Sequence, residues 1–327
     1  MNFDKFFNTQ ERVRKIIDNS INNDRLVQVL LLEGAVGTPK MLAASYIASR
    51  LLCKDKAACG KCYECSRIEK GIHPRVYLVE AIDGSIKKEQ IELLEHEFSE
   101  SGLEEGTRVF IINNIDKATL SSANSLLKFL EELRDDTYGI LITDNINGVI
   151  STIKSRSQII SFSKVSLEEI ISEYKSHGVN EETANILSRI TNDTEEGLKY
   201  IEDDLLLDII DLAKKINSSF FDGNNPVVVM GNLGKFILEN KDKKYHHIFM
   251  DVLSLITNDR LYYLLGKMDE VIFKEELDSI QNIYDINYQN TFKQVEKILE
   301  YKGRLQYNVN LELFYMGLFV EMVKIYD

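Results

Sequence analysis

The first 163 residues alternate short apolar runs with helix-like segments, and this alternation limits the possible folds more than any other feature. Five runs are predicted to be strands: 26–34, 76–81, 107–116, 138–145 and 158–162. Apolar residues recur at helical spacing in the segments 39–53, 87–101 and 120–133. Strands that alternate with helices in this way predict an α/β domain with a mostly parallel sheet and helices on both faces. Ligands gather at the carboxyl ends of such strands, where Gly34, Asn113 and Thr143 are expected.

The strand signals fade after about residue 163, and the remaining chain is predicted to be helical. Residues 166–178 and 180–191 have the pattern of short amphipathic helices, and helices continue beyond the loop 218–226. The last segment, 310–323, carries a broad apolar stripe made of Leu311, Phe314, Tyr315, Leu318, Phe319 and Met322. Such a stripe is usually intramolecular core, although terminal helices of this kind also pack in oligomeric collars.

All four cysteines lie in the segment CKDKAACGKCYEC, at Cys53, Cys59, Cys62 and Cys65. Four thiolates this close together in a reducing compartment suit one tetrahedral Zn²⁺ ion. Gly60 helps the backbone turn so that two cysteines can share the ion. Four cysteine ligands leave no position for water, so the site is predicted to be structural. The alternative is four ordinary free thiols.

Histidines offer a weaker metal candidate. His246 and His247 are adjacent, and adjacent residues on a helix point about 100° apart, so a solvated pair is the better interpretation. His73, His96 and His177 have no obvious ligand companions in the sequence.

Charge and hydropathy exclude several classes of function. The formal net charge is −13, which argues against a surface that grips nucleic acid through many phosphates, although a local basic patch is compatible with it. The N-terminus lacks a basic region followed by an apolar core, so no signal peptide is predicted. The apolar runs are too short to span a bilayer. We therefore expect a cytoplasmic protein without a membrane partner.

The segment LLEGAVGTPKML, residues 31–42, approaches a phosphate-binding loop. Gly34, Gly37 and Lys40 match the pattern, but Pro39 precedes the lysine and Met41 follows it. A working loop points successive backbone N–H groups at the phosphates and uses a Ser or Thr hydroxyl to bind Mg²⁺. Proline has no N–H and methionine has no hydroxyl. The loop is therefore predicted to be degenerate and non-functional, which leaves its glycines and lysine as remnants of a nucleotide site.

Several motifs occur in a characteristic order. The P-loop-like turn is followed by the four-cysteine insertion and then by GIHPRVYLVEA, SIKKEQIELL, VFIINNIDKATLSSANSLLKFLEE, GILITDN, TIKSRSQIISF and NVNLELFYMGLF. With these motifs the chain resembles the delta-prime subunits of the bacterial DNA polymerase III clamp loader, within the AAA+ family. The resemblance extends from about residue 8 to the end and is strongest over 26–163.

The resemblance implies three domains. They are an AAA+ domain at 1–163 with its four-cysteine zinc module at 53–65, a helical lid at 164–207 and a helical collar at 208–327 that joins a ring of subunits. It also implies partners, namely the motor subunit gamma or tau, the delta subunit and, indirectly, the sliding clamp and primer-template DNA.

The residues after VFII, at the end of the third predicted strand, also depart from an ATP-hydrolysing relative. Where such a relative has an acidic stretch that holds Mg²⁺ and positions water, this chain has Asn113, Asn114, Ile115 and Asp116. Amides perform neither task well, and Asp116 is placed to cap the following helix, with Ser121 or Ser122 as other candidate caps. In the lid, Glu196 aligns with the arginine that serves the motor subunit as its second sensor.

The segment IKSRSQ retains Arg156, which matches the arginine of the family's S-R-C motif. The resemblance implies that Arg156 projects into a neighbour's ATP site as a trans arginine finger. Ser157 replaces the family's cysteine, and Thr143 matches the first sensor. Taken alone, Arg156 is a surface arginine beside Lys154.

These observations predict a non-catalytic clamp-loader subunit that carries structural Zn²⁺ and does not hydrolyse ATP, and ATP binding is not expected. It would be part of the DNA polymerase III holoenzyme. Two alternatives stay open: a divergent but self-sufficient AAA+ ATPase, and a zinc-stabilised scaffold outside the clamp loader.

Overall fold

The computed structural model describes residues 2–99, 106–203, 205–276 and 287–325. The chain forms two compact units, Met1–Ser166 and Leu167–Asp327. The first unit ends close to the predicted boundary at residue 163. The second contains both the predicted lid and the predicted collar, so the division between those two segments stays a prediction.

The first unit is built on a parallel sheet of five strands within the described residues. The strands are Val29–Glu33 (β1), Val76–Val79 (β2), Arg108–Ile112 (β3), Thr137–Thr143 (β4) and Gln158–Ser161 (β5). Their order across the sheet is β2-β3-β4-β1-β5, and every neighbouring pair is parallel. This confirms the predicted parallel sheet. The strand predicted over 107–116 ends early, because the chain turns at Asn114, whose φ is +56°.

Among its described residues, the first unit also contains helices and two 3-10 turns. The α-helices are Asp4–Thr9 (α1), Glu11–Asn22 (α2), Lys40–Leu52 (α3), Tyr63–Glu69 (α4), Lys88–Ser99 (α5), Leu120–Glu131 (α6) and Ser151–Ser155 (α7). The 3-10 helices are Ile115–Lys117 and Ile146–Gly148. The helix predicted over 87–101 is present as α5, and its last two predicted residues lie outside the described ranges. Sequence patterns predicted neither α1 nor α2.

The cap of α6 differs from the prediction. Thr119, rather than Ser121 or Ser122, precedes the helix, and its side chain accepts a hydrogen bond from the backbone N–H of Ser122 at 3.2 Å. Asp116 does not cap this helix either, because Thr119 already occupies the N-cap position. A β-region backbone at Thr119 (φ −65°, ψ 157°) aims the hydroxyl at the first turn.

Apolar side chains fill both faces of the sheet. Leu30 and Leu32 face one core and Val29 and Leu31 the other, as the alternation of a strand requires. Gly139 lies opposite Phe110 on the neighbouring strand, and a Cβ added at Gly139 would lie 2.2 Å from Cζ of that ring. The glycine therefore makes room for the phenylalanine.

The outer edge of β5 is covered at one point by a side chain. Gln10, which is 3% exposed, donates from Nε2 to the carbonyl of Ser163 at 2.8 Å. Its Oε1 accepts from the backbone N–H of Ser163 at 3.0 Å. The carboxamide thus satisfies the donor and the acceptor that a further strand would otherwise bind.

The second unit consists of helices in its described part, as predicted. They are Leu167–Ser176 (α8), Glu181–Ile190 (α9), Thr194–Glu202 (α10), Leu205–Ser219 (α11), Pro226–Leu233 (α12), Lys235–Leu238 (α13), Lys243–Leu264 (α14), Tyr288–Arg304 (α15) and Leu311–Val323 (α16), with a 3-10 turn at Met268–Glu270. Across the described residues of both units, no helix has the length and apolar character needed to cross a membrane.

Helix α16 is apolar on two sides. The predicted stripe is buried at Phe314, Tyr315, Leu318, Phe319 and Met322. A second row stands in solvent, since Leu313, Met316 and Val320 are 67%, 48% and 40% exposed. An all-round apolar helix is normally covered on every side.

The interpretation of His246 and His247 as a solvated pair was wrong for His246. That residue is 1% exposed, because α14 turns it inward against α16. Its Nδ1 lies 2.9 Å from the hydroxyl of Tyr315, and its Nε2 lies 2.9 Å from the carbonyl of Asn240.

Candidate functional site

The four cysteines come together where α3 ends and α4 begins. Their sulfur atoms all lie within 4.8 Å of one another. Two of the separations are 3.7 Å, between Cys53 and Cys59, and 3.9 Å, between Cys62 and Cys53. Four thiolates around Zn²⁺ at about 2.3 Å would be about 3.8 Å apart, so the cluster has the dimensions of a four-cysteine zinc site.

The backbone of this segment favours thiolates. The N–H groups of Cys62 and Cys65 donate to the sulfurs of Cys59 and Cys62, both at 3.4 Å. The turn is made at Gly60, whose φ is +67°, as its place in the motif predicted. Amide donors of this kind stabilise negative charge on sulfur, whether or not a metal is bound.

The pKa values of the thiols differ within the cluster. Burial raises the pKa of Cys65 to about 12. Burial acts in the same direction on Cys53, but backbone N–H groups, first that of Cys59 and then those of Asp55 and Ala57, outweigh it and lower the pKa of Cys53 to about 6. The segment is therefore arranged to hold at least part of the cluster as thiolate.

A histidine that the sequence did not single out supports this segment. Nε2 of His73 lies 2.7 Å from Oε2 of Glu64, which stands between two of the cysteines, and the N–H of Arg75 donates to Nδ1 at 3.1 Å. Burial lowers the pKa of His73, against the opposing effect of Glu64, so the neutral ring with its proton on Nε2 fits both contacts. The pair ties α4 to the start of β2. The contact between Glu64 and His73 depends on a turn of the backbone at Gly71, whose φ is +66°. The composition of the sequence gives no sign of this turn.

The P-loop-like segment joins β1 to α3. Gly34 follows β1, Gly37 adopts a φ of +83°, and Lys40 opens α3. The Lys40 side chain is 4% exposed. Its ammonium donates to the carbonyls of Gly34 at 2.9 Å and Ala35 at 2.7 Å, and to Oγ1 of Thr38 at 2.8 Å. The lysine is therefore folded back into its own loop.

The fourth partner of Lys40 comes from a distant part of the chain. Oδ1 of Asp144, the residue after β4, lies 2.8 Å from Nζ of Lys40. The amide of Asn114 donates to the other carboxylate oxygen at 3.0 Å. Asp144 was not predicted to be part of the site, because its approach to Lys40 depends on β4 lying beside β1 in the sheet.

Two backbone donors at the end of the loop are also occupied. The N–H of Thr38 donates to Ala35 at 3.2 Å, and that of Lys40 donates to the carbonyl of Thr38 at 2.7 Å. Pro39 lies between them without an N–H group. Met41 packs against the core instead of facing the loop. A cradle of N–H groups that point at a phosphate is therefore not formed by residues 38–40.

The residues after β3 make contacts with their neighbours. Asn113 donates from Nδ2 to Oε1 of Glu80 at 3.3 Å. Asp116 accepts a hydrogen bond at Oδ1 from the hydroxyl of Thr143 at 2.7 Å, instead of capping a helix as expected. Gly34 and Thr143 lie together at the carboxyl edge of the sheet, joined by a hydrogen bond of 3.3 Å.

Arg156 lies elsewhere, directly after α7. Its side chain is 40% exposed and forms an ion pair with Glu131, which is 53% exposed at the end of α6. Its Nη1 also lies 3.4 Å from the carbonyl of Thr152. Nearby, Lys154 reaches the carbonyl of Ile146 at 3.3 Å and Ser157 that of Ile153 at 2.9 Å.

Glu196 belongs to the second unit. It lies in the first turn of α10 and accepts hydrogen bonds from Tyr200 and, at 2.8 Å, from Thr191. Its carboxylate is engaged within that unit.

The chain is similar to several known proteins. Residues 9–166 match the family model described as DNA polymerase III, delta subunit. The chain is 25% identical to DNA polymerase III subunit gamma of Buchnera aphidicola subsp. Schizaphis graminum, over 92% of this chain and 85% of that protein. A DNA polymerase III gamma subunit-related protein of Thermotoga maritima aligns with 98% of this chain and all of its own, at 15% identity and a TM-score of 0.43.

A delta-prime subunit gives a stronger match. DNA polymerase III subunit delta' of Bacillus subtilis is 34% identical over 310 residues, which is 93% of each protein. Since the match runs through both units at this identity, the chain belongs to the DNA polymerase III delta-prime subunit family.

Proposed function

We propose that this chain is a non-catalytic subunit of the DNA polymerase III clamp loader and that it supplies Arg156 to the ATP site of a neighbouring motor subunit. The observation that carries the proposal is a contrast between two cations. Lys40 is buried and is bonded to its own loop and to Asp144, whereas the guanidinium of Arg156 stands at the surface. The chain thus keeps a cation that can act on a neighbour, while its loop lysine is not available to a nucleotide of its own.

Hydrolysis by this chain alone is not expected. Phosphoryl transfer depends on positioned Mg²⁺ and water, and the positions that would serve them are Asn113 and Asn114. Both amides donate hydrogen bonds to carboxylates, of Glu80 and Asp144 respectively. An amide side chain cannot replace the charge that a carboxylate brings to the metal.

The contacts of Arg156 allow its guanidinium to leave Glu131 and bind a phosphate in the ATP site of a partner subunit. Its ion pair with Glu131 is exposed on both sides, and exposed pairs contribute only about 0–1 kcal/mol. Exchanging this carboxylate for phosphate oxygens therefore costs little. The planar guanidinium can bind two of those oxygens at once.

Zn²⁺ is proposed as the ion of the cysteine cluster. The sulfur separations fit a tetrahedral site of four thiolates, and four ligands leave no position for water. Bound zinc would supply structural cross-linking of the loop between α3 and α4, and no chemistry. The pair of Glu64 and His73 would then hold this module against β2.

The second unit is proposed to contain a lid at 164–207 and a collar at 208–327. The collar assignment is supported by the exposed row on α16, where Leu313, Met316 and Val320 follow one another at helical spacing. A neighbouring collar helix would cover this row. Replacing Leu313 and Met316 by glutamate is expected to weaken assembly in size-exclusion chromatography, whereas Glu312→Gln on the same helix should leave assembly intact.

Partners follow from the family. We propose association with the motor (gamma or tau) and delta subunits, and through them with the sliding clamp and primer-template DNA. The net charge of −13 is consistent with a subunit that is held mainly by protein contacts.

The decisive experiment is reconstitution with motor and delta subunits. Arg156→Ala is expected to lower kcat of the DNA-stimulated ATPase while the complex still assembles. The substitution should remove an acceleration of ~10³-fold or more from the one ATP site that Arg156 serves. The total ATP turnover of the complex should therefore fall by the fraction that this site contributes. Arg12→Ala, an exposed arginine on α2, is the matched control. Unchanged kcat in an intact Arg156→Ala complex would refute the proposal.

Two alternatives predict different outcomes. A self-sufficient ATPase would show Mg²⁺-dependent turnover by the purified chain that Lys40→Ala abolishes, and turnover that survives this substitution would indicate contamination. A zinc-stabilised scaffold outside the clamp loader would fail to co-purify with motor and delta subunits at low salt.

A further inference from the structure

We propose that Asp144 closes a latent phosphate site in this chain, and that removing its carboxylate lets Lys40 bind a phosphate-bearing ligand. The inference goes beyond the proposed function and does not depend on the role of Arg156.

The ammonium of Lys40 is saturated by oxygen atoms of its own chain. An ammonium has three N–H donors. Nζ of Lys40 has four oxygen partners at 2.7–2.9 Å, of which three come from the loop residues Gly34, Ala35 and Thr38 and the fourth is the carboxylate of Asp144. Both its donors and its charge are therefore satisfied, and an anion would have to displace one of these partners.

Asp144 is the partner that an anion can replace. Two of the three loop ligands are backbone carbonyls of the turn between β1 and α3, and the third, the hydroxyl of Thr38, is held by its own hydrogen bond to the carbonyl of Ala35 at 2.7 Å. Displacing any of them would disturb the loop. The side chain of Asp144 is instead 31% exposed and belongs to the residue directly after the neighbouring strand β4. It brings the one negative charge among the four partners, which is the charge that a phosphate would bring.

The position of Asp144 is fixed by its neighbours. Asn114, held at a φ of +56°, donates from its side-chain amide to Oδ2 of Asp144 at 3.0 Å. The hydroxyl of Thr143 accepts from the N–H of Asn145 at 3.0 Å and donates to Asp116 at 2.7 Å, which secures the backbone on either side. The carboxylate is thus held against Lys40 by a local network.

Removing the carboxylate leaves a nearly buried ammonium with neutral ligands only. A buried charge without a counter-charge is costly, so the variant should be less stable than the wild type. An anion that binds there restores the balance and stabilises the folded state by mass action. Lower stability and its recovery by phosphate are thus two linked observables of one site.

The test uses the purified full-length chain with inorganic phosphate and with Mg²⁺-ATP as probes. Calorimetric titration and thermal unfolding with increasing probe are compared for the wild type, Asp144→Asn, and Asp144→Asn combined with Lys40→Met. Asp83→Asn is the charge-matched control, since Asp83 is exposed and its φ of +51° is one that Asn accepts.

We expect Asp144→Asn to bind at least one probe about tenfold or more tightly than the wild type, which corresponds to about 1.4 kcal/mol. Its melting temperature should rise with probe concentration. The double variant and Asp83→Asn should not gain affinity. Asn114→Gly, which keeps the positive φ but releases Asp144, should gain less than Asp144→Asn.

Three results would overturn the inference. They are an Asp144→Asn variant that binds no better than Asp83→Asn, a gain that persists without Lys40, and a destabilised Asp144→Asn variant that neither probe stabilises. Binding of phosphate without ATP would still support the site and would show that the pocket accepts only the smaller anion. None of these outcomes bears on Arg156, which is tested in the assembled complex.

Discussion

Nδ1 of His246 lies 2.9 Å from the hydroxyl of Tyr315, so a buried imidazole joins α14 to α16. The carbonyl of Asn240 lies 2.9 Å from Nε2. Because a carbonyl can only accept, the proton belongs on Nε2, and Nδ1 then accepts from the tyrosine. A neutral ring satisfies both contacts. Protonation of the ring would place a hydrogen on Nδ1, which could then no longer accept the hydrogen bond from the tyrosine.

This arrangement predicts a pH dependence of stability. Burial lowers the pKa of His246 from its usual value of 6.5 in the folded state. The unfolded chain then binds the proton more readily than the folded chain does. The contribution of His246 to the free energy of unfolding is therefore fully present above pH 6.5 and is lost as the pH falls below that value. Urea unfolding of the second unit between pH 5 and 7.5 should show this loss, and His246→Gln should reduce it.

Two comparisons isolate the effect of His246. His177→Gln, an exposed histidine of the same unit, should leave the slope unchanged. Burial also raises the pKa of Asp259 to about 6, which makes stability fall as the pH rises toward 6, so the difference between wild type and variant is the quantity to compare. Equal slopes for wild type and His246→Gln would contradict the prediction.

Glu131→Gln is expected to change the free energy of unfolding by less than about 0.5 kcal/mol, because the ion pair of Glu131 with Arg156 is exposed on both sides. The reconstituted ATPase should be unchanged or higher, since Arg156 loses only a competing carboxylate. Denaturant unfolding and steady-state turnover measure the two quantities. A loss of more than about 2 kcal/mol would show that the pair is structural.

Zinc removal should destabilise the first unit. Elemental analysis of the purified chain is expected to show one zinc per chain, and a chelator should lower the melting temperature by at least ~4 °C, because metal binding is coupled to folding. Cys65→Ser, at a cysteine that is 1% exposed, should lose the metal. The adjacent Ser66→Ala should retain it, and zinc that stays in Cys65→Ser at full occupancy would argue against the site.

Two glycine substitutions should act in opposite directions. Gly139→Ala places a methyl group 2.2 Å from Cζ of Phe110, and overpacking of this kind costs about 1–3 kcal/mol. Gly303, in the exposed face of α15, has no atom within 4 Å of an added Cβ. Gly303→Ala should therefore stabilise the chain by about 0.5–1 kcal/mol through helix propensity. Thermal or denaturant unfolding of both variants tests the signs, and a stable Gly139→Ala would contradict the packing at Phe110.

Local patterns predicted much of the fold. Each of the five strands was found from a continuous apolar run, and the terminal helix was found from its stripe, because burial repeats with the geometry of the element. The cysteine cluster was predicted because its ligands are close in sequence. Gly60 was assigned a turn for the same reason.

Features that depend on distant pairing were missed. Asp144 meets Lys40 only because β4 lies beside β1, and no spacing in the sequence encodes that order. The interpretation of His246 as solvated failed because the apolar surroundings of α14 extend around most of the helix. Asp116 was expected to cap α6, but Thr119 took the cap and Asp116 bonds to Thr143 across the strand ends.

The carboxamide of Gln10 has a consequence for solubility. An open sheet edge is a template on which a second chain can add a strand, and such addition leads to aggregation. By binding both the N–H and the carbonyl of Ser163, Gln10 makes a short stretch of backbone unavailable to another molecule. One glutamine side chain thus hinders the pairing of a strand from another molecule with the end of β5.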